Sequence, residues 1–365
     1  MKLLNGLKVV EVAGGIKVGY CGKLFADSGA EVVKVSLPDE AADGRLRVWL
    51  DPGKASVVLD WRLPEGRQLL RGLVGTADIL LVGDAVAQSG LAEDLGEFPR
   101  LITLSLTDLG REGPFAAMPS SDLTVAALSG MAAINGVAGG LPLREPGNQT
   151  SVVAALAGYL GALAAIANRS QTGRGQAVDA SALEAMVNVL SPSVVQCSYQ
   201  EGGPKRREKA DGFLFDCADG QVSIITSSER SWETIVGLWD LKVDPLDPRL
   251  ATEGARRVNM EAVRELLGPV IMTKTRQELF EELCLVRVPC GMLMRPAELP
   301  NDSHLLERGS FVSILPRDGS AATKMPGPSF RVFGEKPPES LPLARIAEDT
   351  ARVLAPVART LEARS

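Results

Sequence analysis

Residues 144–179 read REPGNQTSVVAALAGYLGALAAIANRSQTGRGQAVD, and this stretch decides the architecture that we expect. Its centre, residues 152–167, is apolar and rich in alanine and glycine, and a turn flanks it on each side. A membrane span usually needs about 20 apolar residues, whereas a helix that is apolar on all sides is otherwise buried in a large protein. We therefore predict a buried helix. Its N-terminus would carry unpaired N–H groups that suit an anion or a reactive carboxylate.

Length and composition narrow the class of protein. The 365 residues carry a formal charge of −6, which argues against general nucleic-acid binding, and their 45% hydrophobic content is ordinary for a globular protein. The five cysteines are scattered and form no C-x-x-C pair, which predicts reduced thiols. Lys8 and Glu11 interrupt the first apolar residues, so these predict a strand rather than a signal peptide. We expect a cytoplasmic protein that does not span a membrane.

Strands and helices alternate through the first half of the sequence. The predicted strands are 7–12, 31–35, 55–60, 77–82, 101–106 and one beginning at 177, and the predicted helices are 17–28, 64–74, 123–133, the central helix and 181–190. Strand–helix–strand units of about 30 residues are typical of a parallel sheet. The pattern therefore predicts an α/β fold with a doubly wound sheet.

The second half of the sequence does not continue the regular alternation of strands and helices. Alternating segments joined by Asp219-Gly220 predict a hairpin, and amphipathic helices are predicted at 232–238, 260–283 and 345–361. We predict a large domain of residues 1–200 completed by 311–365, a linker at 201–211, and a small α+β domain at 212–310.

Several motifs resemble those of one family. The segments are GLKVVEVA (6–13), GYCGKLFADSGAEVVKV (19–35), GREGPF (110–115), TGRGQ (172–176) and VPCG (288–291). They are similar to segments of the family III CoA-transferases, a group related to the α-methylacyl-CoA racemases. The resemblance covers most of the chain. It implies a Rossmann-like large domain, an interlocked dimer, CoA or acyl-CoA and a carboxylic acid as substrates, and no metal.

The resemblance also places the catalytic carboxylate. In this family a nucleophilic Asp lies roughly 21 to 23 residues before the glycine that is Gly173 here, which points to Thr150, Ser151 or Val152. None of these is acidic, and no Asp or Glu lies between Glu145 and Asp179. Glu145 is the nearest acid and is a candidate replacement nucleophile. Ser151 could be acylated, but an ester is less activated than an anhydride, so we interpret Ser151 as a helix cap.

Two further acids are catalytic candidates. Asp122 precedes an apolar helix, as an Asp often does in the family, and it is interpreted as an N-cap or a first-turn acid, with a catalytic role as the alternative. The racemases carry a His where this chain has Ser121, and Glu229 falls near their supporting Glu. With the other two racemase positions changed, a conventional racemase is disfavoured.

Three short segments are candidates for binding CoA or the substrate. By resemblance, Lys17 and Val18 lie where the loop after the first strand touches CoA. Gly110 and Arg111 lie in the glycine-rich turn, where Arg111 could pair with a phosphate or a carboxylate; a solvent-facing Arg is the alternative. The pair Asn148–Gln149 lies just ahead of the central helix.

One segment departs from the family pattern. The family usually has an Asn-Phe-Arg-Pro-Gly-like turn that helps to hold CoA, and this chain has Gly83-Asp84-Ala85-Val86. Because an Asp repels phosphate, we interpret Asp84 as part of a solvated loop.

Three functions are compatible with these residues. The first is transfer of CoA between carboxylic acids by this chain as a homodimer. The second is a catalytically silent subunit of a hetero-oligomeric transferase, whose related partner supplies the Asp. The third is another acyl-CoA enzyme, of the racemase, isomerase or hydratase type.

Overall fold

The computed structural model describes most of the chain. The described residues are 3–12, 15–40, 44–87, 89, 91, 94, 98–201, 203, 206, 213–226, 228–244, 246–336 and 338–363. Most of the predicted linker at 201–211, and the predicted start of the small domain at residue 212, lie outside them.

Twelve strands are found in the described residues. They are β1 (Lys8–Val12), β2 (Glu31–Ser36), β3 (Ala55–Val58), β4 (Ile79–Gly83), β5 (Ile102–Thr107), β6 (Ala177–Ser181), β7 (Leu214–Cys217), β8 (Gly220–Ile224), β9 (Cys290–Met292), β10 (Phe311–Pro316), β11 (Thr323–Pro326) and β12 (Ser340–Leu343).

The helices alternate with these strands. They are α1 (Gly15–Asp27), α2 (Gly44–Leu50), α3 (Pro64–Val74), α4 (Asp84–Ala87), α5 (Asp122–Leu128), α6 (Met131–Ile134), α7 (Gln149–Thr172), α8 (Ala182–Val189), α9 (Ser191–Gln196), α10 (Glu229–Leu238), α11 (Glu253–Val258), α12 (Met260–Ile271), α13 (Arg276–Leu285), α14 (Ser303–Glu307) and α15 (Thr350–Glu362).

The first six strands form one parallel sheet in the order β3-β2-β1-β4-β5-β6. Alternate residues of these strands enter two cores, one shared with α3 and α15 and the other with α1 and α7. Helices therefore cover both faces, which is why β4 and β5 are buried along their whole length. The α/β prediction is confirmed. The strand order reverses between β1 and β4, and open sheets of this kind bind ligands outside the carboxyl ends of the strands at such a point.

The central helix α7 extends over 24 residues. Tyr159 packs edge-on against Phe25 at a ring-centroid distance of 4.8 Å. At Gly158 an added Cβ would lie 2.6 Å from the end of the Leu106 side chain, so a larger residue there would require Leu106 to shift.

The opposite face of α7 is open, with Leu156 41% and Leu160 65% exposed. Within the described ranges α7 is the one helix long and apolar enough to cross a membrane, and 44% of its most apolar window is buried inside the protein. The prediction of a helix buried on all sides is therefore right for one face only.

Two predicted helices are each divided. The helix predicted at 123–133 breaks at Gly130, which adopts a left-handed conformation (φ 87°) between α5 and α6. The helix predicted at 260–283 breaks before α13, where Thr275 and Glu278 form a reciprocal capping box that begins a new helix. In both places a local start signal ends the apolar periodicity. The tail helix α15 begins at Thr350 rather than at residue 345.

Contacts divide the chain into two units. The first contains Met1–Gly136, Gly140–Arg206 and Ser303–Ser365, and the second contains Val137–Gly139 and Arg207–Asp302. The second unit holds the antiparallel sheet β7-β8-β9 and its own core with α10, α12 and α13. This unit ends at Asp302.

The segment after β12 returns to the edge of the large sheet. The Asp349 carboxylate accepts a hydrogen bond from the Ser56 N–H (3.0 Å), and the Thr350 hydroxyl accepts one from the Val58 N–H (3.0 Å). These two side chains satisfy donors of the outermost strand β3, which an edge strand otherwise leaves unpaired.

Candidate active site

Asp122 opens helix α5. The Ser121 hydroxyl caps the helix by accepting a hydrogen bond from the Thr124 N–H, and Asp122 is the acid of the first turn, as predicted. Its side chain is 13% exposed. The cap fixes the start of α5 and so places Asp122 in its first turn.

The Asp122 carboxylate lies against the start of α7. One oxygen accepts hydrogen bonds from the Thr150 hydroxyl and from the Ser151 N–H, the latter at 3.4 Å. The other oxygen pairs with the Arg144 guanidinium at 3.0 Å. A side chain from a different helix thus supplies a negative charge where the helix N-terminus favours one.

The first turn of α7 contains no acidic residue. The helix begins after Asn148, which has a left-handed backbone (φ 56°) and whose side chain caps no N–H group. Ser151 is therefore the third residue of the helix, and the interpretation of Ser151 as its cap is wrong. Its N–H is satisfied by Asp122, and its side chain is buried.

The other candidates of this segment are Glu145, in the turn before α7, and Gln149, which is the first residue of α7 rather than a residue ahead of it. Glu145 is half-buried, and within the described ranges its carboxylate forms no hydrogen bond or ion pair. Gln149 is exposed and donates from its amide to the Pro146 carbonyl at 3.2 Å. Glu145 therefore lies before α7, and within the described residues its carboxylate does not hydrogen-bond to the N–H groups of that helix.

A second polar cluster, here called the Lys17 cluster, lies after β1, β4 and β5. The Lys17 ammonium pairs with the Asp84 carboxylate at 2.8 Å and with the Asp108 carboxylate. Asp84 also accepts a hydrogen bond from the Asp108 N–H at 2.9 Å. Asp84 is the first residue of helix α4, and its carboxylate pairs with a buried lysine. Its interpretation as a solvated loop residue is therefore wrong.

One segment joins the Lys17 cluster to the carboxylate at α7. The Ser120 hydroxyl donates to Asp108 at 2.7 Å, and Asp122 follows two positions later. Val18, next to Lys17, is fully buried in the core between α1 and the sheet, so its side chain is closed to a ligand.

The glycine-rich turn follows Asp108. Gly110 has a left-handed backbone (φ 91°), and its N–H donates to the Thr107 hydroxyl at 3.0 Å. The Arg111 N–H donates to the Asp179 carboxylate on β6 at 2.9 Å. Asp179 thus fixes this turn. The predicted role of Arg111 in binding a phosphate or a carboxylate stays a prediction.

Glu229 belongs to the second unit. Its carboxylate pairs with the buried Arg256 at 2.9 Å and accepts a hydrogen bond from the Glu253 N–H, also at 2.9 Å. The hydrogen bond from Arg256 lowers the pKa of the Glu229 carboxyl. These contacts fasten α10 to α11, and the catalytic role of Glu229 stays a prediction.

The structure therefore brings together Asp122, Thr150 and Ser151, and it adds Arg144, which sequence reasoning did not select as a site residue. Arg144 and Asp122 are 22 positions apart, and no local pattern connects them. In the described part of the chain no group of three or more His, Cys, Asp or Glu side chains could hold a metal ion.

Comparison with known proteins identifies the family. Residues 4–342 match the family model of CoA-transferase family III. The chain belongs to CoA-transferase family III. The resemblance deduced from the motifs is thereby confirmed, and with it the assignment to CoA-transferase-like proteins. Membership implies CoA thioesters as substrates.

Named relatives of this family III protein are CoA-transferases. Succinate–glutarate CoA-transferase of Agrobacterium fabrum is 26% identical, covering 96% of this chain and 95% of that one. Succinyl-CoA:mesaconate CoA-transferase of Haloarcula hispanica is 30% identical, covering 86% of each. The BbsE subunit of succinyl-CoA:(R)-benzylsuccinate CoA-transferase of Thauera aromatica is 31% identical over 61% of this chain and 60% of its own length.

A solved structure matches the fold. The crystal structure of a CAIB/BAIF family protein from Brucella suis superposes with a TM-score of 0.85 at 24% identity, covering 97% of this chain and 99% of that one.

Proposed function

We propose that this family III protein transfers CoA between small carboxylic acids, with a dicarboxylic acyl-CoA such as succinyl-CoA as donor and Asp122 as the nucleophile. The family match supports the reaction, and the names of the relatives support the donor class. One observation carries the assignment of the nucleophile. The Asp122 carboxylate contacts Thr150 and the Ser151 N–H, which lie where the resemblance places the catalytic carboxylate.

A carboxylate at this position can carry the whole transfer. An Asp122 oxygen attacks the thioester carbonyl, the C–S bond breaks, and CoA leaves as the thiolate, which gives a mixed anhydride. The thiolate then attacks the Asp122 carbonyl of the anhydride, releasing the donor acid and forming an enzyme thioester. The acceptor carboxylate attacks this thioester to form a second anhydride. The thiolate cleaves it at the acceptor carbonyl, which releases the new acyl-CoA and the free Asp122.

Arg144 gives this site a preference for dicarboxylic substrates. Its side chain is 43% exposed, whereas Asp122 is 13% exposed, so solvent and substrate reach the guanidinium first. A guanidinium binds a carboxylate through charge-assisted hydrogen bonds. In the proposed reaction Arg144 exchanges Asp122 for the free carboxylate of the substrate, which also releases the nucleophile.

The assembly and location belong to the same proposal. We propose a Rossmann-like large domain (1–200 with 311–365), a small α+β domain (212–310) and a cytoplasmic, interlocked dimer, formed with a second copy or with a related subunit. Exposed apolar side chains on α5, α7, α8 and α9 support an oligomer, because a contiguous apolar surface usually marks an interface; they are Leu123, Leu128, Leu156, Leu160, Val187, Val189, Val194 and Val195.

Replacing Asp122 by asparagine tests the nucleophile. Asn keeps an oxygen that accepts from Thr150 and Ser151 but cannot form an anhydride, so we expect transfer from succinyl-CoA to fall by at least about 10³-fold. Borohydride reduction of protein incubated with succinyl-CoA, followed by peptide mass spectrometry, should modify Asp122 in the unaltered chain. The control is Thr150→Val, which removes one hydrogen bond and should retain transfer within about tenfold. Modification at Glu145 instead would refute this assignment.

A second function is favoured by the missing acid in the first turn of α7 and by the relative that is named as a subunit. In this alternative the chain is the silent partner of a related subunit that carries the Asp. Ser151→Asp separates the two, because an acid at the third helical position is favourable and restores the family carboxylate. Transfer that is absent before this substitution and appears after it would favour the silent subunit. Transfer by the unaltered chain alone would exclude that alternative.

A further inference from the structure

The Lys17 cluster holds one cation between two carboxylates. Lys17 and Asp108 side chains are each 10% exposed, whereas Asp84 is 34% exposed. Asp108 is held on its other side by the Ser120 hydroxyl at 2.7 Å. Asp108 is thus the buried, fixed partner of Lys17, and Asp84 is the partner that solvent reaches.

The Lys17 cluster lies at the end of the sheet where ligands bind in open sheets of this kind. Lys17 lies in the first turn of α1 after β1, Asp84 directly follows β4, and Asp108 directly follows β5. These are the carboxyl ends of the strands on both sides of the point where the strand order reverses. An anionic ligand bound at these strand ends would meet a lysine whose charge two carboxylates already offset, since opposite charges this close interact strongly when partly buried.

We infer that Asp84 competes with the phosphates of CoA for Lys17, and so lowers the affinity of this chain for CoA. This inference rests on the proposed function. CoA bound at these strand ends displaces the more exposed Asp84, while Asp108 keeps Lys17 in position. Asp84 then sets how tightly CoA is held, without taking part in the transfer.

Calorimetric titration of the full chain with CoA and with pantetheine, which lacks the phosphates, tests this inference. Asp84→Asn removes the competing charge and retains a hydrogen-bonding side chain at the start of α4, so we expect CoA to bind on the order of tenfold more tightly. The affinity for pantetheine should not change. Asp84→Ser is the second variant in case the first folds poorly, and it should show the same gain. Adding Lys17→Met to either variant should abolish the gain.

The outcomes separate this inference from the proposed function. Folded Asp84 variants that bind CoA no more tightly than the unaltered chain, while that chain still transfers CoA, would overturn the competition alone. An equal gain for pantetheine would also overturn it, because the phosphates would then not be involved. If neither the unaltered chain nor the Asp84 variants bind CoA, both proposals fall.

Discussion

Replacing Lys54 by methionine is expected to lower the free energy of unfolding by about 3–5 kcal/mol, because it leaves the Glu11 carboxylate buried without its partner. The two side chains are 1% and 2% exposed, and the ammonium–carboxylate distance is 2.6 Å. Lys54 also donates to the Gly19 carbonyl at 2.8 Å, which ties β1 to α1. Chemical denaturation followed by circular dichroism measures the loss.

The pH dependence of the Lys54→Met variant has a defined sign. Burial raises the pKa of the Glu11 carboxyl, and Lys54 opposes that rise. Without Lys54 the pKa of Glu11 in the folded state rises further above its value in the unfolded state. The folded variant then holds a proton on Glu11 at pH values where the unfolded chain has lost it, so the stability of the variant falls as the pH increases. We expect the loss of stability to be smaller near pH 4 than near pH 7, since a free glutamate carboxyl titrates at about pH 4.

Two controls separate charge burial from other effects. The double variant Glu11→Met/Lys54→Met removes both charges and should recover most of the loss, because buried ion pairs replaced by apolar residues are often neutral in stability. Lys242→Met removes a lysine that is 87% exposed and paired with an exposed Asp240, and it should change nothing measurable. A single Lys54→Met variant as stable as the unaltered chain would contradict the prediction.

Gly175→Ala is expected to destabilise the protein by about 3 kcal/mol or more, as overpacking against an immobile group does. An added Cβ at residue 175 would lie 1.8 Å from the Leu101 carbonyl oxygen, at the entry to β5. The Gly175 N–H donates to the Pro99 carbonyl at 2.8 Å, so the two segments cannot separate without losing a hydrogen bond. Thermal unfolding measures the effect.

The matched control for Gly175→Ala is Gly237→Ala. Gly237 lies inside helix α10, where an added Cβ meets nothing within 4 Å. Alanine there should be neutral or stabilising by about 0.5–1 kcal/mol, because glycine weakens a helix interior. If the two alanine variants unfolded at the same temperature, close packing of the Thr-Gly-Arg-Gly turn would not explain the glycine at 175.

The sequence predicts the elements of the large sheet well because each has a strong local signal. Buried apolar runs indicate the strands, and the helix at 64–74 is found where it is predicted. The predicted helix boundaries are wrong where a local signal for a helix start lies inside a longer apolar periodicity. The capping box of Thr275 and Glu278 is readable in the sequence, yet the amphipathic pattern on both sides of it favours one long helix.

The site is harder to predict because its contacts are remote in sequence. Lys17 meets Asp84 and Asp108 across 67 and 91 positions, and Asp122 reaches Thr150 across 28. No periodicity records such pairs. The resemblance leads to residues 150–152, but it could not indicate that a carboxylate from α5 lies beside them.

The capping of strand β3 by Asp349 and Thr350 bears on the order of folding. During synthesis the second unit is complete once residue 302 has emerged, whereas the large sheet has to wait for residues 349 and 350 before its outermost strand is covered. Until then β3 presents unpaired backbone donors to other nascent chains, which is a known route to aggregation. Shortening the chain before residue 349 should therefore lower its soluble yield more than its secondary structure content.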